Sequence, residues 1–381
     1  MAHNDVGSVD DDNHSDRRAF LQAAGTAGAA GLAATAGCLG MGGGGSGGSG
    51  GSGPLNVIVW NDYTEIQDEL SDRIGTEVKM TAMTSSTKMF TKWNTGGASQ
   101  FDMALPNNNL VNKFYQADLL QSIDTGSISN WGSMYQQFKD ISKRQFQHDG
   151  KMFGVPIRFG WYGISYDKEQ VPEQKRKTVD TLWDDEYEGK VAVYDNHFKA
   201  IAMAALKLGF QDAFEGQKVT LSDSQLKECK QALIEQKPLL FGYLSGNPSW
   251  VKAYKQNNVH AGWSGRNEIV QLQQDGVSRA GTTVAKEGGL AWYEGAIVSK
   301  KSDRKEDVQK LINEMLSPDL GAKLARAGGA PTTNPDISKN LSSKEEERFM
   351  VDPARMKSLI PFKPMAEEEK WIKAWEEVKN A

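Results

Sequence analysis

Residues 57–83, VIVWNDYTEIQDELSDRIGTEVKMTAM, alternate between two kinds of pattern, and this alternation predicts the fold. Residues 57–60 form a short apolar run with the length and composition of a buried strand, and residues 78–83 form a second. Between them, residues 67–74 have the composition of a helix. Strands that alternate with helices indicate an α/β protein whose strands are largely parallel.

The same alternation continues to the C-terminus. Ser85 and Ser86 supply the N-cap of one predicted helix, and Ser222 with Gln225 forms a capping box before another. A last helix, from residue 366, places Trp371 and Trp375 on one stripe. Further strands are predicted over residues 101–105, 153–166, 191–194, 261–263 and 290–299.

The composition is that of a globular protein. With 381 residues, the chain is long enough for roughly two to three structural units. Its 39% hydrophobic and 24% charged residues exclude a disordered chain and a protein with many membrane spans. The 44 Lys and Arg residues nearly balance the 49 Asp and Glu residues, so we expect no nucleic-acid partner.

The N-terminus has the pattern of an export signal. Arg17 and Arg18 precede a mildly apolar Ala/Gly run, as in twin-arginine signals, and small residues before Cys38 resemble a lipoprotein processing box. The alternative is a disordered cytosolic leader with a chance arginine pair. We predict a signal over residues 1–37 and a lipidated Cys38 with a flexible Gly/Ser tether over residues 38–53, which places the protein on the outer face of the cytoplasmic membrane.

The residues give no positive sign of catalysis. The three histidines after the leader, His148, His197 and His260, have no metal-ligand spacing, and Cys229 lies inside a predicted helix without a basic neighbour to activate it. There is no P-loop, nucleophile elbow or C-x-x-C motif. We therefore predict a protein that is not an enzyme and has neither cofactor nor metal, although carboxylates are numerous enough to leave open a secreted hydrolase with an acid pair.

Aromatic and acidic side chains gather at the ends of the predicted strands. Trp292 and Glu294 are two residues apart in a strand and so share a face. Trp60 and Asp62 stand in the same relation where the first strand ends, with Tyr63 next to them. Ligands of open α/β sheets bind beyond the carboxyl ends of the strands, so these residues are candidates for a binding site.

Further candidates follow other strand ends. These are Asn107, Asn109, Asp195 and Trp263. Aromatic faces beside carboxylates suit a small amine, because a cation on an aromatic ring gains about 0.5–2 kcal/mol. The alternative is that the tryptophans fill the core and the acids are capping or solvated groups.

Several segments, taken in their order along the chain, carry a family resemblance. They are FDMALP at residues 101–106, VP at 155–156 followed by GWYGISY at 160–166, EYEGK at 186–190, and KEGG at 286–289 leading into Trp292. This order resembles the type II extracytoplasmic solute-binding proteins of ABC importers, and most closely the branch that binds spermidine and putrescine.

The resemblance implies two lobes joined by two chain crossovers, near residues 155–161 and 289–296, which close on a ligand by hinge motion. It implies lobe 1 over residues 54–157 and 293–345, lobe 2 over 158–292, and a C-terminal helical segment over 346–381. It also implies a monomer that binds a small cationic amine and delivers it to an ABC permease.

The resemblance also suggests roles for particular residues. Trp292 and Glu294 match the aromatic and the acid that grip the amine, and Trp263 matches a second aromatic wall. Asp195 or Asn196 falls near a third ligand contact, an acid.

This chain departs from the branch at several positions. Lys199 stands where a further carboxylate is usual, and Asn107 and Asn109 replace a serine and a tyrosine. These departures leave open a monoamine or a zwitterion, with Lys199 or Arg158 facing an anionic group. They also leave open a thiamine-like cation, an aminophosphonate, or a surface interaction role without a small ligand.

Overall fold

A computed structural model describes residues 53–349 and 356–381, in which strands and helices alternate as the sequence predicts. The predicted signal, Cys38 and all of the tether except Gly53 lie outside the described residues. The strands are β1 (Leu55–Val59), β2 (Val78–Ala82), β3 (Met103–Ala104), β4 (Leu120–Gln121), β5 (Gln147–His148), β6 (Lys151–Met152), β7 (Val155–Asp167), β8 (Val191–Tyr194), β9 (Leu240–Leu244), β10 (Ala261–Gly265), β11 (Ala280–Thr283), β12 (Gly289–Ser299) and β13 (Leu359–Pro361).

The helices begin largely where their capping residues predict. They are α1 (Gln67–Ile74), α2 (Ser86–Asn94), α3 (Asn108–Gln116), α4 (Gln136–Phe146), α5 (His197–Lys207), α6 (Asp223–Gln236), α7 (Asn247–Lys255), α8 (Arg266–Gln274), α9 (Lys305–Met315), α10 (Pro318–Gly328), α11 (Ser343–Phe349) and α12 (Glu368–Asn380). The Ser85 side chain caps α2, and Ser222 with Gln225 forms the predicted capping box of α6.

The main sheet has two parallel groups of strands. On one side β1 pairs in parallel with β2 and β3, and on the other β8 pairs in parallel with β9 and β10. The long strands β12 and β7 run antiparallel between these groups, so that the order is β2-β1-β3-β12-β7-β10-β8-β9. The α/β class predicted from the sequence is confirmed.

Strands β7 and β12 each belong to both halves of the sheet. The first half of β7 pairs with β12, from Val155↔Ala296 to Tyr162↔Leu290, and its second half pairs with β10 and β11. The last residues of β12 pair with β3 and β4. The chain therefore crosses between the two groups of strands along two neighbouring, hydrogen-bonded strands.

Two large hydrophobic cores lie on either side of these crossing strands. Lobe 1 is the part built around the first core, which includes Val57, Phe114 and Ile297. Lobe 2 is the part built around the second core, which includes Val193 and Ile201. Helix α12 packs its tryptophans at residues 371 and 375 into the core of lobe 2, which shows where the C-terminal helix is anchored.

The two faces of β7 have different surroundings. Phe159 and Trp161 point into the core of lobe 1. Because side chains alternate along a strand, Arg158, Gly160 and Tyr162 share the opposite face. The indole of Trp292 lies against Gly160 so closely that a Cβ atom there would be 2.5 Å from its Cζ2. This face of β7 carries the candidate site.

Candidate functional site

Arg158 is the centre of a charged group on this face of β7. Its Nε and Nη2 donate to the two carboxylate oxygens of Glu294, at 3.1 and 2.8 Å, and its Nη1 donates to Oδ2 of Asp62 at 2.8 Å. The Tyr63 hydroxyl donates to Oε2 of Glu294 at 2.5 Å. The ring centroids of Tyr63 and Trp292 lie 4.9 and 6.0 Å from the guanidinium carbon. We call these five residues the Arg158 cluster.

Three members of the Arg158 cluster, Asp62, Tyr63 and Glu294, are positioned by irregular parts of the chain. Asp62 and Tyr63 lie in the 3-10 helix Asn61–Ile66, which follows β1 directly. Glu294 lies where the pairing of β12 with β7 shifts register. Helix α10 ends at Gly328, where a Cβ atom would overlap Nη1 of Arg158 and lie 2.5 Å from Oδ2 of Asp62. Glycine at this position thus allows the helix end to approach the ion pairs.

Because most of the Arg158 cluster is buried, its charges strongly affect one another's pKa values. The side chains of Arg158 and Glu294 are each 2% exposed, whereas that of Asp62 is 32% exposed. Burial raises the pKa of Glu294, and the neighbouring Arg158 opposes this shift. Burial, the largest single influence, would lower the pKa of Arg158, but the charge and hydrogen bonds of Glu294 together with the charges of Tyr63 and Asp62 outweigh it, so that the pKa is raised. Two carboxylates facing one guanidinium leave one excess negative charge in the cluster.

Two further predicted residues border the Arg158 cluster. Trp60 is half-buried, and its indole Nε1 donates to the carbonyl of Leu105 at 2.8 Å, which ties the end of β1 to the end of β3. Asn107 forms an isolated β-bridge with Glu294, and its backbone N–H donates to Oγ of Ser86 at 2.9 Å. Both residues therefore lie at the same edge of the sheet as the cluster.

The asparagines that begin α3 have different roles. Asn109 is half-buried in the first turn of the helix. Asn108, which the sequence analysis does not single out, is buried: it donates to the carbonyl of Phe362 at 2.7 Å and accepts from the N–H of Tyr293 at 3.3 Å. Asn108 thus links the first turn of α3 by hydrogen bonds to β12 and to Phe362.

Two predicted residues take no part in the hydrogen bonds and ion pairs that join the members of the Arg158 cluster. Trp263 is fully buried in the core of lobe 2, and its Nε1 has no hydrogen-bond partner among the described residues. The Oδ1 atom of Asp195 accepts from Nε1 of Trp375 at 3.2 Å and lies 3.6 Å from Nζ of Lys379. Asp195 therefore faces the C-terminal helix.

A second charged group lies in lobe 2. The ammonium of Lys199 donates to the hydroxyl of Tyr162 at 2.6 Å and sits 3.9 and 3.7 Å from the ring centroids of Tyr162 and Tyr194. Glu268 is 2% exposed and interacts electrostatically with all three, but no ion pair within 4.0 Å joins it to Lys199. Within the part of the chain that the structure describes, its Oε2 has no hydrogen-bond partner. We call these four residues the Lys199 cluster.

Burial disfavours the charged forms of Lys199 and Glu268. Burial lowers the pKa of Lys199 to about 7, although the charge of Glu268 opposes the shift. Burial raises the pKa of Glu268. Lys199 also lies in the first turn of α5, whose N-terminus Asn196 caps and where a positive charge is disfavoured. An acidic partner beside Lys199 would favour its charged form.

The sequence analysis names Lys199, as a departure from the related proteins, but does not single out the other three residues of the Lys199 cluster. Tyr162 could have been found, because it lies four residues after Arg158 on the same strand face. Tyr194 is the last residue of β8, a position at which the strand-end rule applies. Glu268 follows the end of β10 by three residues, but an acid in the first turn of a helix is too common to stand out.

Other features of the described residues do not compete with these clusters. Two surface cavities, of about 490 and 340 Å³, share no lining residue with either cluster. Over residues 53–349 and 356–381, no group of His, Cys, Asp and Glu side chains could hold a metal ion. None of the described helices is long and apolar enough to cross a membrane.

Comparison with known proteins gives a family match and several related proteins. Residues 65–356 match the model of a family described as bacterial extracellular solute-binding protein. The chain is 24% identical over 291 residues to the spermidine/putrescine-binding periplasmic protein of Escherichia coli, covering 74% of this chain and 78% of that one. It is 22% identical over 303 residues to a putrescine/agmatine-binding protein of Pseudomonas aeruginosa, covering 74% and 80%.

Solved structures show the same fold. The spermidine/putrescine ABC transporter substrate-binding protein PotD of Streptococcus pneumoniae superimposes with a TM-score of 0.75 at 23% identity, covering 86% of this chain and 99% of that one. The TpPotD lipoprotein of Treponema pallidum gives a TM-score of 0.70 at 16% identity, covering 85% and 99%. The two-lobed type II architecture predicted from the sequence is confirmed.

Proposed function

Because the chain belongs to the family of bacterial extracellular solute-binding proteins, we propose that it captures a polyamine or a related small amine and delivers it to the permease of an ABC importer. The observation that carries the choice of ligand is the Arg158 cluster. It brings two aromatic rings and two carboxylates to one point on the strands that join the lobes.

The chemistry of the cluster suits one ammonium group. The two carboxylates exceed the single guanidinium by one charge, and the half-exposed Asp62 is the acid that an incoming cation can reach. A carboxylate–ammonium contact at about 4 Å is worth on the order of 4 kcal/mol at intermediate dielectric, before the cost of desolvation. The indole of Trp292 offers an aromatic face beside the same acids.

The named relatives support the same class of ligand. Those from Escherichia coli and Pseudomonas aeruginosa are named for spermidine, putrescine and agmatine, which all carry amine or guanidine cations. We extend this to the present chain as a small aliphatic amine. Trp60, Asn107 and Asn109 would border the ligand at the edge of lobe 1, and Trp263 and Asp195 are the proposed contacts that lie farther away.

The proposed transport cycle uses the predicted organisation of the chain. Lobe 1 would comprise residues 54–157 and 293–345 and lobe 2 residues 158–292, so that Arg158 and Trp292 fall at the two borders. Closure of the lobes about β7 and β12 would trap the amine and present a closed form to the permease. A lipid on Cys38 and the Gly/Ser segment would keep the protein, as a monomer, at the outer face of the cytoplasmic membrane.

Thermal unfolding of the purified chain with added ligands tests this function. The screen contains putrescine, spermidine, agmatine and 1-butylamine, with 1,4-butanediol as an uncharged control. At a concentration a hundred times its dissociation constant, a specific ligand adds about 2.7 kcal/mol to the free energy of unfolding. We expect at least one amine to raise the melting temperature while the diol does not.

Two results would contradict the proposed function. One is the absence of any shift with all four amines at millimolar concentration. The other is an equal shift with the diol, which would show that the site does not recognise the charge. Turnover of a protective compound, followed by mass spectrometry, would instead identify an enzyme.

A further inference from the structure

The Lys199 cluster contains buried polar groups whose hydrogen-bonding capacity the described residues do not use up. An ammonium group has three N–H donors, and the one hydrogen bond that the Lys199 ammonium makes to a described residue goes to Tyr162. Oε2 of the buried Glu268 has no hydrogen-bond partner among the described residues, and because burial raises the pKa of Glu268, its protonated form has an O–H to donate. Buried polar groups are normally paired, so a group that is left over in a folded protein points to a partner from outside the chain.

The Lys199 cluster lies in line with the Arg158 cluster. Arg158, Gly160 and Tyr162 occupy one face of β7, and the first and last of them are separated by about 13 Å along the strand. Between them, the indole of Trp292 lies directly on Gly160. A ligand that touches both clusters must therefore be elongated along the strand and lie against this indole.

The two ends of this line have different charges. The Arg158 cluster has one negative charge in excess and the half-exposed carboxylate of Asp62. At the other end the Lys199 ammonium lies against the rings of Tyr162 and Tyr194 and forms no ion pair with a described carboxylate. A second ammonium close to that of Lys199 would be repelled, whereas an anionic group would be attracted.

We infer that the solute is a linear zwitterion, whose ammonium group binds at the Arg158 cluster and whose carboxylate accepts hydrogen bonds from Lys199. This inference rests on the proposed function, since it names the class of amine that the same site takes. Tyr162 and Tyr194 hold the lysine in place through their rings, and Trp292 contacts the methylene chain that joins the two charged ends.

Isothermal titration of the full chain with two matched pairs of compounds tests the inference. Each pair has one chain length: putrescine with 4-aminobutanoate, and 1,5-diaminopentane with 5-aminopentanoate. We expect at least one amino acid to bind at least tenfold more tightly than its diamine. The variant Lys199→Gln should lower the affinity for that amino acid at least tenfold and raise the affinity for the diamine, because it removes the ammonium that repels the second charge of the diamine.

Lys207→Gln is the matched control, because Lys207 lies on the same helix and pairs with Asp180 at the surface, 2.8 Å away. This variant should change neither affinity. Diamines that bind as tightly as the amino acids, or an equal loss of both affinities in Lys199→Gln, would overturn the inference and leave the proposed function intact. Failure of all four compounds to bind would contradict the proposed function, and the inference with it.

Discussion

The Arg158 cluster and the Lys199 cluster lie on the same face of β7 but are assembled in opposite ways. In the first, both carboxylates accept hydrogen bonds from one guanidinium, and a tyrosine hydroxyl adds another. In the second, Lys199 and Glu268 are both withdrawn from water without forming an ion pair. The carboxylates of the first cluster are paired with Arg158 but exceed it by one charge, whereas Lys199 in the second cluster has no paired carboxylate among the described residues.

This difference indicates a division of roles along the strand. A buried ion pair with several hydrogen bonds holds its side chains in one geometry, and removing one partner leaves an uncompensated charge. The Arg158 cluster should therefore matter for stability as well as for ligand binding. The Lys199 cluster, whose charges gain no ion pair in the folded chain, should matter mainly for the choice of ligand.

The largest effect is expected from Arg158→Met. This substitution leaves the buried carboxylate of Glu294 without its cation and should lower the free energy of unfolding by about 3–5 kcal/mol. Urea denaturation followed by tryptophan fluorescence measures the change. The double variant Arg158→Met with Glu294→Met should recover most of the loss, because it removes both buried charges.

Arg73→Met is the control for Arg158→Met. Arg73 contacts three carboxylates, those of Glu69, Glu314 and Asp319, at the surface of lobe 1, whereas Arg158 contacts two. Water screens such pairs, so the substitution should cost about 1 kcal/mol or less. An equal cost for the two arginines would show that the Arg158 cluster is not a stabilising network.

Gly328→Ala should be the next most destabilising change. An alanine for glycine inside a helix normally stabilises it by about 0.5–1 kcal/mol. Here the added Cβ would overlap Nη1 of Arg158, so we expect a loss of about 1–3 kcal/mol instead. Gly242→Ala, where nothing lies within 4 Å of the added atom, is the control in the same denaturation assay. Stabilisation by Gly328→Ala would contradict the observed packing.

The sequence predicts much of the fold and part of the Arg158 cluster because the relevant patterns are local. Residues 67–74 form a helix with the predicted bounds, and the turn after β1 brings Tyr63 into hydrogen-bond contact with Glu294 of the long strand β12. The rule that ligands gather at strand ends requires only that the strands be recognised. The proposal that these side chains bind a ligand still needs the experiments above.

Other features depend on distant contacts that no local pattern encodes. A long arginine side chain can point in many directions, and the sequence does not show that Arg158 turns toward Glu294, 136 residues away. Asp195 follows a strand end as a ligand residue would, but its carboxylate contacts Trp375, 180 residues farther along the chain. The sequence likewise does not show that Lys199 and Glu268 are buried close together without an ion pair.

The variants Glu294→Gln and Asp195→Asn compare an acid of the Arg158 cluster with an acid outside it. Glu294→Gln removes the excess negative charge of the cluster and should weaken binding of the amine that binds most tightly at least tenfold, or about 1.4 kcal/mol. Asp195→Asn should weaken binding less than Glu294→Gln does, because Asp195 faces α12. Isothermal titration measures both, with urea denaturation to confirm that the variants are folded. The opposite ranking would move the amine site to the end of β8.

The smallest expected effect is the pH dependence of binding, which arises in the Lys199 cluster. Without a ligand, Lys199 has a pKa of about 7. A carboxylate bound beside it would raise this pKa, so binding above about pH 7 requires Lys199 to take up a proton. The affinity for 4-aminobutanoate should therefore be constant below about pH 6 and fall by at most about tenfold by about pH 8.

Among the groups that face Lys199, burial keeps Tyr162 and Tyr194 neutral in this range, since it raises the pKa of both hydroxyls. Glu268, on α8, would give a similar fall as it ionises, because its negative charge repels the carboxylate. Lys199→Gln separates the two causes. Loss of the pH dependence in this variant assigns the titration to the lysine, whereas a fall that persists would assign it to Glu268 and contradict the prediction.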